Sequence, residues 1–313
     1  MDIDFAAALD IGGTKIAGAL VDDSGKLHVR VQRPTPPGGD GDAVLGAANE
    51  VLGELRAAVQ WSRVGALGIG SAGPVDARNG TVSPVNIPGW RDFALVEGVR
   101  REIGELPVVL VGDGVAMTAA EHAQGAARGH ANALGMVVST GVGGGLVLEG
   151  RPFPGTTGNA GHVGHISVEL DGEACPCGAR GCVERIASGP NIARRARAAG
   201  WRPGPDGDAS AAAVAAAAEA GDPVALASFE RAARALAAGI AATAALVEID
   251  IAVIGGGVAQ AGDVLFGPLR SALDDYATLS YVRGLTVVPA AIGTDAGLVG
   301  AAAACRTLPP ARR

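Results

Sequence analysis

The sequence predicts an α/β protein of two lobes, and three observations predict it. A strand that ends in a Gly/Thr turn and resumes as a second strand occurs twice, at Asp10-Ile11-Gly12-Gly13-Thr14-Lys15 and at Ser139-Thr140-Gly141-Val142-Gly143-Gly144-Gly145. Between and after these, short apolar runs alternate with helical patterns, as in sheets covered by helices. Third, Cys175, Cys177 and Cys182 fall within eight residues, with His165 ten residues upstream of the first, so one imidazole nitrogen and three thiolates can close on a tetrahedral zinc ion.

In chain order, Phe5 to Leu9 is an apolar strand, Ile16 to Val21 a second, and Leu27 to Val31 alternates apolar with polar residues after the Asp23-Ser24-Gly25 turn. The Gly12-Gly13-Thr14 break offers backbone N–H groups and a hydroxyl to an anion, and Lys15, one of two lysines in the chain, adds charge. Asp10 ends the strand, where a carboxylate can hold magnesium through water. Read alone, the same break also fits an ordinary hairpin. Ala43 to Gln60 carries Val44, Ala48, Val51, Leu52 and Leu55 on one helical face. Val64 to Ile69 is a buried strand running into Gly68-Ile69-Gly70-Ser71-Ala72-Gly73-Pro74, which has the spacing of a dinucleotide fingerprint. Pro74 and the turn residues Asp76 to Gly80 stand where the helix of that fingerprint would begin, so these glycines are read as backbone approaching a small ligand. Asn86, in the loop beyond, fits both a turn residue and a hydrogen-bonding partner for a polyol.

A helix over Ala94 to Ile103 precedes a strand, Val108 to Val111, that stops at Gly112-Asp113-Gly114 ahead of helix-forming residues from Ala116 to Ala127. Asp113 is therefore at the carboxyl end of a strand, where open α/β sheets carry their chemistry, and also in position to cap the helix. Leu134 to Val138 and Leu146 to Leu148 flank the second glycine turn, and its repetition of the first favours phosphate contact at both. Past the cysteines the chain is helical and alanine-rich. Asp222-Pro223 reads as the cap and first-turn proline of a long helix with Phe229, Leu236, Ile240 and Val247 on one face. Ile251 to Ile254 is a strand before a third glycine turn, Gly255-Gly256-Gly257. Asp295-Ala296-Gly297-Leu298-Val299-Gly300 supplies small residues for close helix packing or access for a flat ring. Arg312 and Arg313 are expected to be a frayed tail.

The chain of 313 residues has room for two domains. With 25 basic against 32 acidic residues and no basic block, nucleic-acid binding is disfavoured. The N-terminus carries two acids and no basic region, and no uncharged run reaches the ~20 residues of a membrane helix. Cysteines at metal spacing, with Cys305 left to pack in the last helix, fit a reducing compartment. The expectation is a soluble, cytoplasmic protein without membrane partners.

Together, the two Gly/Thr turns, the run Cys175-x-Cys177-Gly178-x-x-Gly181-Cys182-x-Glu184 and the Asp295 to Gly300 segment resemble the ROK family (repressors, ORFs and sugar kinases) over essentially the whole chain. The resemblance implies an actin-like, ribonuclease-H-like two-lobe ATPase fold with a structural zinc knot. Residues 1–114 plus 298–313 would form the smaller lobe and 115–297 the larger one carrying the zinc. It implies transfer of the γ-phosphoryl of ATP, with Mg²⁺, to the 6-hydroxyl of a glucose-type hexose or amino-hexose, by a homodimer or homotetramer. Carried over by position, Asp113 resembles the general base, and Asn86, Asp113, His162, His165 and Glu184 resemble the sugar-binding set. Asp10, Gly12, Gly13, Thr14, Lys15, Thr140, Gly141, Gly256 and Gly257 resemble the ATP-binding set. His165, Cys175, Cys177 and Cys182 resemble the zinc ligands, with His165 serving metal and sugar through its two nitrogens. No Walker A lysine competes with this reading, since neither lysine lies in that motif.

Two departures from the family pattern bear on substrate. Gly112 stands where many members carry Asn, and His162 where many carry Glu; the histidine variant resembles bacterial N-acetylmannosamine kinases. Loss of the amide points to a sugar altered near carbon 3, such as 3-amino-3-deoxyglucose (kanosamine), beside plain glucose. The remote alternative is a non-catalytic, sugar-binding regulator of the same family, whose helix-turn-helix would have to precede residue 10. A zinc hydrolase is disfavoured because three thiolates and one imidazole leave no position for water.

Overall fold

The computed structural model describes residues 4–38, 40–84 and 87–312. The first 112 positions run β1 (Phe5–Ile11), β2 (Lys15–Asp22), β3 (Leu27–Pro34), α1 (Gly41–Arg56), β4 (Val64–Ser71), the short hairpin β5 (Val75–Asp76) and β6 (Thr81–Val82), α2 (Leu95–Ile103) and β7 (Val108–Gly112). There follow α3 (Asp113–Gln124), β8 (Ala133–Val138), β9 (Val142–Leu148), β10 (Arg151–Phe153), α4 (Val183–Ala187), α5 (Gly189–Ala198) and α6 (Ala211–Glu219). The chain closes with α7 (Pro223–Val247), β11 (Ile251–Gly255), α8 (Asp263–Tyr276), β12 (Thr286–Pro289) and α9 (Ala296–Thr307).

Two five-stranded sheets share one topology, β3-β2-β1-β4-β7 and β10-β9-β8-β11-β12. In each, three antiparallel strands linked by tight turns are extended by two parallel strands. The repeated sequence pattern is therefore a repeated sheet. Register brings the carboxyl ends of the parallel strands to one edge: Asp10 pairs with Gly70, and Ser71 with Gly112, so Asp10, the glycine loop after β4 and Asp113 share that edge. In the second sheet Val138 opposes Val142 across the Thr140 turn, and Val137 pairs with Gly255.

The cores follow the period of two along β1. Phe5, Leu9 and Ile11 face α1, packing on Val44, Ala48, Val51 and Leu52, while Ala6 and Ala8 face α9 and meet Leu298, Ala301 and Cys305. Large side chains on one face and alanines on the other let α9 approach closely: a Cβ on Gly68 would overlap the Ala301 carbonyl, and one on Gly300 the Ala116 carbonyl of α3. The third cluster is built on α7, whose start is capped as expected, Asp222 accepting from the N–H groups of Val224 and Ala225 at 2.9 Å. Cys305 is buried in α9, as its composition suggested.

Three local readings change and one strand is new. Gly143 to Gly145 are strand, inside β9, because their missing side chains admit other backbone: a Cβ on Gly145 would meet the Val115 Cα at 2.7 Å. Helix α1 stops at Arg56 and a 3₁₀ turn, Val59–Arg63, takes the rest. Strand β12 carried no clear signal, being four residues ending in Pro289, and exists because β11 offers a parallel edge. Arg312 is docked: its N–H donates to the Arg78 carbonyl at 3.1 Å, and Arg100 donates to the carbonyls of Ala311 and Arg312. Among the described residues no helix is long and apolar enough to cross a membrane.

Candidate active site

Asp113 is the first residue of α3, and the cap position belongs to Gly112, which has no side chain to offer. The capping reading is thus replaced: Asp113 Oδ1 accepts the N–H of its neighbour Gly114 at 2.7 Å and the side chain opens toward the second sheet, where a Cβ on Gly143 would lie 3.7 Å from it. This approach is possible because Gly114 lies on the backbone of Gly144, where a Cβ would meet the carbonyl oxygen at 2.5 Å. Asp113 is exposed to the cleft, while the protein packed around its carboxylate displaces part of its hydration. Its pKa is raised by that desolvation, which outweighs the Gly114 N–H and the attraction of His162.

His162 faces Asp113, His165 and Glu184 at once. Its pKa is lowered, first by burial and next by His165, against the opposing pull of Asp113 and Glu184. The His162 and His165 ring centroids are 6.2 Å apart, and a Cβ on Gly73 would touch the His162 ring at 3.5 Å. The glycine loop after β4 therefore does admit another group closely, and that group is an imidazole. Glu184, in the first turn of α4, accepts the Val142 N–H at 2.9 Å, which ties it to the Thr140-Gly141 turn. Asn86 lies outside the described residues.

The residues singled out for nucleotide fall into two groups. Gly12, Gly13 and Thr14 form the β1–β2 turn, closed by Gly12 N–H donating to the Lys15 carbonyl at 3.0 Å and braced by Thr35, whose hydroxyl donates to the Gly12 carbonyl at 2.6 Å. Asp10 beside it has a pKa raised to about 6, chiefly by burial; Lys15 opposes the shift and Asp113 adds to it. A carboxylate whose ionisation is disfavoured by burial and by a neighbouring carboxylate could hold a divalent cation such as magnesium. On the other sheet, Thr140 and Gly257 line a cavity of about 890 Å³, with Gly141 and Gly256 flanking them in sequence. Gly256 has φ of 92°, and a Cβ there would overlap the Val138 carbonyl, so only glycine allows this turn.

This cavity also contains residues that were not singled out: Pro190, Arg197, Arg202 and Ser210. Their only advance signal was a run of arginines, Arg194, Arg195 and Arg197, on a helix that starts with Gly189-Pro190.

His165, Cys175, Cys177 and Cys182 form a separate cluster whose ligand atoms all lie within 4.8 Å of one another. Cys177 Sγ is 3.8 Å from Cys182 Sγ, and Cys175 Sγ is 4.0 Å from His165 Nδ1. These are close to the edges of a tetrahedron about an ion with sulfur at roughly 2.3 Å, so the donor set fits zinc. The imidazole turns Nδ1 toward the thiols, which leaves Nε2 for another partner.

Comparison with known proteins agrees with this geometry. The ROK family model matches residues 6–307. The chain is 35% identical over 306 residues to a glucokinase of Thermotoga maritima, covering 94% of this chain and 95% of that protein. It is 39% identical over 301 residues to an N-acetylmannosamine kinase of Yersinia pseudotuberculosis, covering 96% and 98%. The crystal structure of a ROK family glucokinase from Streptomyces griseus, in complex with glucose and AMPPNP, superposes with a TM-score of 0.77 at 34% identity, over 95% of this chain and 98% of that one.

Proposed function

Given that the chain belongs to the ROK family, we propose that it is an ATP-dependent sugar kinase that phosphorylates the 6-hydroxyl of a glucose-type hexose or amino-hexose. The observation that carries this reading is the meeting of Asp113 with His162, His165 and Glu184 between two Gly/Thr turns, one from each sheet. Phosphoryl transfer asks the protein for positioning and charge neutralisation more than for covalent chemistry. In the proposed mechanism, Glu184 and the histidines orient the sugar ring, and Asp113 accepts the proton of the attacking hydroxyl. A carboxylate with a raised pKa is a better proton acceptor than one at the ordinary value.

The Gly12-Gly13-Thr14 turn with Lys15 and the Thr140-Gly141 turn would face the phosphates from opposite sheets, and the 890 Å³ cavity beside Gly257 would take the adenosine, with Pro190 against the base. Asp10 would hold magnesium, whose chemistry there is to neutralise the phosphate oxygens. Zinc on the His165, Cys175, Cys177 and Cys182 set would fix His165 through Nδ1 while Nε2 reaches the sugar. The two lobes would be 1–114 with 298–313, and 115–297.

For the sugar itself, two readings have support. Gly112 has an ordinary backbone conformation, φ −68°, and a Cβ there would meet only the Gly158 carbonyl, at 3.9 Å. A Cβ would fit there, so the missing amide is not excluded by packing, and its absence suits glucose or a sugar altered near carbon 3, such as 3-amino-3-deoxyglucose. N-acetylmannosamine is the second reading, favoured by His162 in place of a carboxylate and by the 39% identity to a kinase of that sugar.

ADP release with Mg-ATP across glucose, mannose, N-acetylmannosamine, glucosamine and 3-amino-3-deoxyglucose tests both readings. Glucose leading would make Gly112 and His162 tolerated variations. An amino sugar leading would make them specificity determinants, and turnover of none would overturn the kinase reading.

A further inference from the structure

A second cavity, of about 1040 Å³, lies between α5 and α7 and shares Arg194 and Ala198 of α5 with the cavity beside Gly257. In a chain of net charge −7 its walls carry four arginines, Arg194 and Arg195 from α5 and Arg231 and Arg234 from α7, beside Glu169, Glu173 and Glu230. Arg185 of α4 joins the same cluster through Glu173.

Few carboxylates bond these groups. Glu173 alone holds three guanidinium groups, those of Arg194 at 2.6 Å, Arg185 at 2.8 Å and Arg195 at 3.3 Å, while Glu169 pairs with Arg231 at 2.6 Å. Arg234 bonds the Tyr276 hydroxyl at 3.4 Å, with Glu230 and Asp275 acting on it only through their field. Five guanidinium groups thus share two bonded carboxylates. The Nε atoms of Arg185 and Arg195 are buried without a hydrogen-bond partner.

Arg195 shows the imbalance most directly. Its side chain is 17% exposed, and burial and the charge of Arg231 both act against its protonated form, more than Glu173 and Glu169 compensate. One carboxylate has two oxygens and one charge; a phosphate monoester or inorganic phosphate has three or four oxygens and close to two charges, each edge matching a guanidinium fork.

We propose that the groove between α5 and α7 is a second anion site, adjoining the cavity beside Gly257 at Arg194, that binds a phosphate group through Arg194, Arg195 and Arg231. Glu173 stands in that group's place in the ligand-free protein. The phosphate source is either free inorganic phosphate or a phosphorylated sugar. The proposal does not depend on the kinase reading, since it concerns a different cavity.

The test is isothermal titration calorimetry on the full chain at low ionic strength, with magnesium, a nonhydrolysable ATP analogue and the sugar turned over best in the panel above all at saturation, so that both anions report only on the second site. Inorganic phosphate is titrated in one arm and a hexose 6-phosphate in the other. The expected result is one further site, weakened tenfold or more by Arg195→Gln and, independently, by the more exposed Arg231→Gln. Glu173→Gln, which removes the competing carboxylate, should strengthen binding at least threefold, an effect that a merely structural role for these residues would not produce. The tighter of the two anions identifies the source. Absence of a site for both anions, or undiminished binding in both arginine variants, overturns the proposal.

Discussion

Asp113 combines three properties that a proton acceptor for a sugar hydroxyl needs: an open face to the cleft, a desolvated carboxylate and a fixed orientation through the Gly114 N–H. Asp113→Asn keeps the shape and removes the basicity, so kcat should fall by about 10²–10⁴ while the sugar Kd changes by no more than a few-fold. Turnover in single-turnover kinetics, beside calorimetric sugar binding, checks this; retained turnover would return Asp113 to a helix-end role. Asp10 gives a prediction of opposite kind, on stability. Its pKa is about 6 in the fold against 3.8 for a free carboxylate, so the folded state binds the extra proton between those values. Stability is then unpenalised below about pH 4, falls as pH rises toward 6 and stays lower above, by about 1–3 kcal/mol. Asp10→Asn should remove this slope, making the ligand-free variant more stable than the parent at pH 7 and similar at pH 4. Urea melts at the two pH values measure it, and a parent advantage at pH 7 would show that Asp10 is stabilised, not strained, by its setting.

The element that most shapes the proposed sugar pocket is the segment from His162 to Glu184, since it delivers three polar groups from 23 residues with little regular structure. Short isolated bridges pair Ser167 with Cys182 and Ala174 with Arg180, and Cys175 N–H donates to the Ala179 carbonyl at 2.8 Å. The segment's backbone bonds run mostly within it, among them His165 N–H to the His162 carbonyl at 3.1 Å and Val183 N–H to the Ile166 carbonyl at 3.0 Å, so the Cys/His cluster is what ties the His165 side chain to the cysteine turns. Stripping metal with a chelator, or Cys177→Ser, should therefore lower Tm by roughly 5 °C or more, a loss of about 2 kcal/mol, and weaken sugar binding in parallel. Thermal scans and sugar titrations on the same samples check it; full sugar affinity in metal-free protein would separate the cluster from the pocket.

At the scale of the molecule, α3 and α9 cross between the two sheets, α3 lying on β8 and β9 and α9 on β1 and β4. Their contact is backbone on backbone at Gly300, where any Cβ would overlap the Ala116 carbonyl. Gly300→Ala should force the helices apart and destabilise by about 1–3 kcal/mol despite alanine's better helix propensity. The exposed Gly46 of α1 has open space around its Cβ position, so Gly46→Ala is the control, with a gain of about 0.5–1 kcal/mol expected. Chemical denaturation of the two variants tests whether the crossing is as tight as the geometry implies. An unchanged midpoint for Gly300→Ala would mean that it is not.

Most strands and helices were legible because their causes are local: the two Gly/Thr turns, the Asp222-Pro223 cap, the apolar face of α1 and the alternation of β3 all act over a few residues. The chemical identity of the candidate site was legible too, since clustered cysteines, histidines and glycines announce themselves wherever they fold. What the tertiary structure alone decided depends on partners far apart in the chain. Strand β12 needed the edge of β11, and Arg197 and Arg202 acquired meaning only when α5 came to rest beside Thr140 and Gly257. Arg312 became ordered through Arg78 and Arg100. Glu121 shows the same limit: it is fully buried near the end of α3, accepting the N–H groups of Ala126, Ala291 and Ile292 at 2.8–2.9 Å. Two of those donors lie 170 and 171 residues away, so Glu121 is a pin between α3 and the strand-to-helix loop before α9. Local periodicity and turn chemistry determine elements and residue types; burial, charge coupling and close backbone approach exist only once distant segments meet.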